Sequence, residues 1–117
     1  MEITVSFSDD VTILRLQGKF VAGRDGPFFR QRVKELVDSG KRKLLLDFSD
    51  VPYIDSTGLG FLAGSRKTVE QAGACLVLSA LNERVKKVLD EVKISGFFVI
   101  AQDETAGVAK LQSMPES

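Results

Sequence analysis

Ile3, Val5 and Phe7 alternate with Glu2, Thr4 and Ser6 at the start of the chain. That period of two predicts a half-buried strand. The turn chemistry of Ser8-Asp9-Asp10 separates it from a second apolar run, Val11, Ile13, Leu14 and Leu16, which ends at Gly18. The pair predicts an antiparallel hairpin. Residues 19–27 read as a connector, and its Asp25-Gly26-Pro27 end suggests a helix start, since proline is tolerated in a first turn. From 28 to 38 the apolar positions Phe29, Val33, Leu36 and Val37 recur at helical spacing. Gly40 suits the left-handed position that ends such a helix.

The run at 44–48 is continuously apolar apart from Asp47, the pattern of a strand covered on both faces. After a turn at 49–52, the stretch Tyr53-Ile54-Asp55-Ser56-Thr57-Gly58-Leu59-Gly60 hands over to a second helical pattern, stopped by Gly73. A strand at 74–78, a helix at 83–91 capped by Asn82, a strand at 97–101 and a helix at 104–111 follow. Residues 114–117 read as a frayed tail. Alternating helices and strands imply parallel pairing through right-handed crossovers. The expectation is one α/β domain over residues 1–113, with a mixed sheet that opens on a hairpin.

Composition narrows the function. Lys plus Arg and Asp plus Glu number 16 each, so the net charge is +0 and a general nucleic-acid surface has no basic excess to draw on. Histidine is absent, which excludes Ser-His-Asp chemistry and His-ligated zinc within this chain. The only cysteine, Cys75, lies in an apolar run and reads as a buried structural residue. No basic-plus-apolar leader opens the sequence, and no apolar run approaches the roughly 20 residues that span a bilayer. These features lead to the expectation of a cytoplasmic protein with no membrane or nucleic-acid partner, no metal and no cofactor.

The chemistry concentrates at 53–60. Gly58-Leu59-Gly60-Phe61-Leu62-Ala63 satisfies a loose dinucleotide spacing, but the next strand ends in Leu78-Ser79-Ala80 without the acid that would hold a ribose. Ser56 as a hydrolase nucleophile fails because Ile54 stands where the elbow needs glycine, and no histidine is present. An aspartyl-phosphate receiver with Asp47 or Asp55 as acceptor would need several carboxylates to converge from among Asp9, Asp10, Asp47, Asp50 and Asp55, which an opening hairpin disfavours. A phosphorylated Ser56 or Thr57 used as a binding switch remains, because a helix N-terminus offers unpaired N–H groups and a favourable dipole. Beside it stands plain N-capping by Asp-Ser-Thr, with no function at all.

The string from Leu44 to Gly60, with Gln71-Ala72-Gly73-Ala74 and Asn82-Glu83-Arg84-Val85, resembles the anti-sigma factor antagonists of the bacterial STAS domain family. The resemblance covers nearly the whole chain. It implies a non-enzymatic regulator that binds an anti-sigma factor serine kinase when unphosphorylated and so releases a sigma factor. It also implies Ser56 as the phosphate acceptor and a PP2C-type phosphatase that restores binding; the chain is expected to be a monomer. Asp55 would shape recognition by the kinase, and Thr57, Gly58 and Leu59 would line the contact surface. One departure stands out: where the family often carries Gly-Glu-Leu-Asp, this chain has Gly18-Lys19-Phe20-Val21, with no acid until Asp25. A STAS-type module in another signalling or transport pathway, or a nucleotide- or small-ligand-binding domain, is the alternative.

Overall fold

A computed structural model describes residues 1–93 and 95–114. Strands β1 (Glu2–Ser8) and β2 (Val11–Gln17) form the expected hairpin, in register from Glu2 opposite Gln17 to Ser8 opposite Val11. Asp9 turns the corner at φ 53°, a left-handed conformation that short polar side chains tolerate. There follow α1 (Ala22–Asp38), β3 (Lys43–Asp50), α2 (Ser56–Gln71), β4 (Cys75–Ser79), α3 (Glu83–Glu91), β5 (Val99–Ala101) and α4 (Glu104–Ser113). The sheet runs in the order β1-β2-β3-β4-β5, and every pairing after the hairpin is parallel.

Period-two alternation along β3 divides the core. Leu44, Leu46 and Phe48 join Phe29, Leu59, Leu62, Val85 and Leu89 in the larger cluster, against α1, α2 and α3. Leu45 joins Ile13, Val77 and Leu111 in the smaller one, under α4. A strand buried on both faces has no polar side to show, which explains its continuous apolar run.

The structure departs from the sequence reading at several places. Helix α1 starts at Ala22, well before Phe28, so Pro27 lies inside it and not in its first turn. Val21 offers no side-chain cap, but the Asp25 carboxylate reaches back to accept its N–H at 3.0 Å and also meets the Met1 amine at 3.0 Å. That fold-back starts the helix early. Strand β5 is shorter than expected because Ser95–Phe97 form a 3-10 turn. Of the aromatics, Phe29 and Phe98 are buried, whereas Phe28 and Phe97 are 49% and 56% exposed. Arg66 covers the Phe97 ring at 5.4 Å. Cys75 is half-buried, packed at the edge of the smaller cluster. Met114 caps α4, and residues 115–117 of the expected tail lie outside the described residues. Among the described residues no helix is long and apolar enough to cross a membrane.

Candidate functional site

The loop between β3 and α2 is stitched down from two sides. Phe20 bridges in parallel to Ile54, its N–H donating to the Tyr53 carbonyl at 2.9 Å and its carbonyl accepting from the Asp55 N–H at 3.3 Å. From the other side, the Asn82 side-chain amide donates to the Val51 carbonyl at 3.1 Å, and the Arg84 guanidinium lies 5.2 Å from the Tyr53 ring centre. Buried Ile54 anchors the loop in the core. The head of α2 is thereby held at the carboxyl ends of the parallel strands, where open α/β sheets place their sites.

One side chain caps this helix. Asp55 is extended at φ −92°, ψ 173°, and its Oδ1 accepts the Gly58 N–H at 2.6 Å. The next two residues, Ser56 and Thr57, are exposed, and neither hydroxyl is hydrogen-bonded within the chain among the described residues. Capping therefore accounts for Asp55 and leaves the Ser56 hydroxyl open to solvent at the positive end of the helix dipole.

Two of the expected contact residues belong elsewhere. Leu59 is 3% exposed and packs into the larger core cluster, and Gly58 is buried. A Cβ on Gly58 would sit 2.9 Å from the Phe20 carbonyl oxygen and 3.0 Å from Ile54 Cγ1. Glycine is thus required for α2 to seat against the Phe20 strand-like segment. Gly58 and Leu59 support the site from beneath, and the accessible surface comprises Asp55, Ser56, Thr57 and Gly60.

The aspartates do not gather. Asp10 pairs with buried Lys43 at 3.0 Å at the hairpin end, and the hydrogen bond from Lys43 lowers its pKa. Asp47 faces the α4 side, with Arg15 Nε at 3.2 Å and the Ser49 N–H at 2.9 Å. Arg15 also bonds Glu104, and the hydrogen bonds from Arg15 to Asp47 and then Glu104 raise the guanidinium pKa. Among the described residues no three His, Cys, Asp or Glu side chains are placed to hold a metal ion. The dinucleotide reading also fails on geometry, because Gly58 lies within α2 and not in a loop before it.

The sequence carries no local site signal at Phe20, Asn82 or Arg84. Phe20 lies in what reads as a connector, and its role depends on a bridge to a residue far along the chain. Asn82 was legible only as the cap of α3, which it also is, through the Val85 N–H at 2.8 Å.

The STAS domain family matches residues 2–106. The anti-sigma-B factor antagonist of Bacillus subtilis is 33% identical over 82 residues, covering 70% of this chain and 74% of that protein. That of Listeria monocytogenes is 33% identical over 89 residues, covering 73% and 78%. Among solved structures, the anti-sigma factor antagonist SpoIIAA in its unphosphorylated form has a TM-score of 0.73 at 14% identity, covering 97% of this chain and 100% of that one. The phosphorylated form of SpoIIAA, described as a Bacillus cell fate determinant, has a TM-score of 0.70 at 15% identity, covering 93% and 98%. At such identities the two structures establish a shared fold.

Proposed function

The chain belongs to the STAS domain family, with the anti-sigma factor antagonists, and from that premise we propose that it is a phosphorylation-controlled antagonist. Unphosphorylated, it binds an anti-sigma factor that is itself a serine kinase, and so releases a sigma factor. The kinase transfers phosphate to Ser56, binding is lost, and a PP2C-type phosphatase resets the switch. Such a cycle runs where ATP is, in the cytoplasm, and the chain itself acts as a monomeric binding protein with no catalytic role.

The observation that carries this reading is the division of labour at the head of α2. Asp55 supplies the cap, so the exposed Ser56 hydroxyl has no structural task. Phosphate there adds about −1.5 to −2 charges. The helix dipole and unpaired N–H groups accommodate that charge, so the fold survives. A partner seated on Asp55, Ser56 and Thr57 instead meets two adjacent negative groups within a Debye length of roughly 8 Å.

The expected outcome is that Ser56→Asp weakens binding to the kinase at least about tenfold, or ~1.4 kcal/mol. Ser56→Ala should bind like the wild type and accept no phosphate. Calorimetric titration of the three proteins with the kinase tests this, and equal affinities would remove the switch.

One observation favours a second reading, a STAS-type regulator in another pathway. Val21 stands where the family often has an acid, and the nearest carboxylate, Asp25, is turned inward to Met1 and the Val21 N–H. It cannot replace a surface acid. A wild-type chain that ignores serine kinases of this class would favour that alternative.

A further inference from the structure

From Thr57 a groove of about 530 Å³ runs along the exposed face of α2, with Arg30 of α1 on its far wall. Its lining reaches Gln71, so it follows α2 over fifteen residues, a rise of roughly 21 Å at 1.5 Å per residue. A second hollow of about 440 Å³ continues it along α1, the two sharing Arg30 and Phe61. The depth comes from Gly60 and Gly64, where a Cβ would meet nothing within 4 Å. Neither glycine takes a positive φ. Glycine in a helix interior costs backbone entropy, and here neither turn geometry nor packing within the chain requires it. Gly58, two residues earlier, has such a reason; these two do not.

The charge of the groove is one-sided. Arg30 and Lys67 line it, and neither has a carboxylate partner among the described residues. Lys34, in the continuing hollow, pairs with Asp38 at 2.8 Å. Among the described residues no carboxylate lines either hollow, although the chain as a whole is neutral.

We infer that the α1–α2 groove docks an acidic amphipathic helix of a protein partner. Length decides for a helix over a compact ligand, because a trough of four turns matches a helix laid alongside α2. The glycines let its backbone approach closely, Phe61 receives its apolar edge, and Arg30 and Lys67 pair with its carboxylates. The inference goes beyond the Ser56 switch, since the groove leads away from that hydroxyl and needs no phosphate.

The test is a titration of the isotope-labelled full chain with a synthetic helix of about 16 residues, leucines at i, i+3, i+4 and i+7 and glutamates flanking them. Amide shifts at Thr57, Gly60, Gly64 and Gln71 should saturate, and affinity should fall at least tenfold in Arg30→Glu/Lys67→Glu. Gly64→Leu should abolish the saturable shifts while leaving the melting temperature unchanged or higher. Should that variant misfold, the charge-reversed pair still decides the matter. Several results would overturn the inference: no saturation at millimolar peptide, shifts confined to other faces, or affinities indifferent to the charge reversal. So would saturation of these residues by ATP or by anionic phosphatidylglycerol vesicles in place of the peptide. No kinase enters the titration, so its failure leaves the Ser56 reading intact, and loss of Ser56 phosphorylation leaves the groove intact.

Discussion

Asp55 and Ser56 are neighbours with opposite duties. The carboxylate closes the first turn of α2 through the Gly58 N–H, while the hydroxyl makes no bond within the described chain. Removing an N-cap costs typically about 1 kcal/mol, whereas a free surface hydroxyl is worth less than about 0.5 kcal/mol. Asp55→Ala should therefore lower Tm by roughly 4 °C, and Ser56→Ala should leave it within about 2 °C. Thermal melts of the two variants check this, and equal losses would return Ser56 to a capping role. The sequence showed three oxygen-bearing side chains at a helix start. Which of them caps depends on backbone geometry, with Asp55 extended and Ser56 already helical, and no propensity distinguishes those states.

Within α2 the glycines separate by what lies opposite them. A methyl on Gly58 collides with the Phe20 carbonyl, which belongs to backbone pinned by the Ile54 bridge and cannot yield cheaply. Gly58→Ala should destabilise by about 1–3 kcal/mol, the range for overpacking. Gly60→Ala meets open space and should stabilise by about 0.5–1 kcal/mol, the helix-propensity difference. Urea unfolding of both variants reads the signs directly. The element pattern was legible because periodicity reports burial. The helix at Glu83–Glu91 with its Asn82 cap came out at its predicted bounds, and the β1–β2 hairpin did too within a residue or so. The early start of α1 was not legible, because it depends on Asp25 folding back to Val21 and Met1. The burial of Leu59 was not legible for a related reason. Its apolar character fits either an interface or a core, and only the docking of α2 on α1 and β4 assigns it to the core.

Across the whole molecule, the two faces of the sheet carry different loads. One face bears α1, α2 and α3, with the Ser56 surface at its edge; the other bears α4 and the Arg15–Asp47–Glu104 network that joins β2, β3 and that helix. Asp47 is buried against Arg15 and the Ser49 N–H, so its partners are structural necessities. Asp47→Asn should cost about 1–3 kcal/mol in chemical denaturation without altering phosphorylation of Ser56. Reduced phosphorylation in a folded Asp47→Asn chain would instead tie the network to the switch. The switch rests on a single oxygen atom, the Ser56 hydroxyl, and one measurement reads it directly. The chain is incubated with the anti-sigma serine kinase and ATP, digested, and its phosphopeptides are sequenced by mass spectrometry. Phosphate on Ser56 alone is the predicted result; phosphate on Thr57 without Ser56, or none at either, would contradict it.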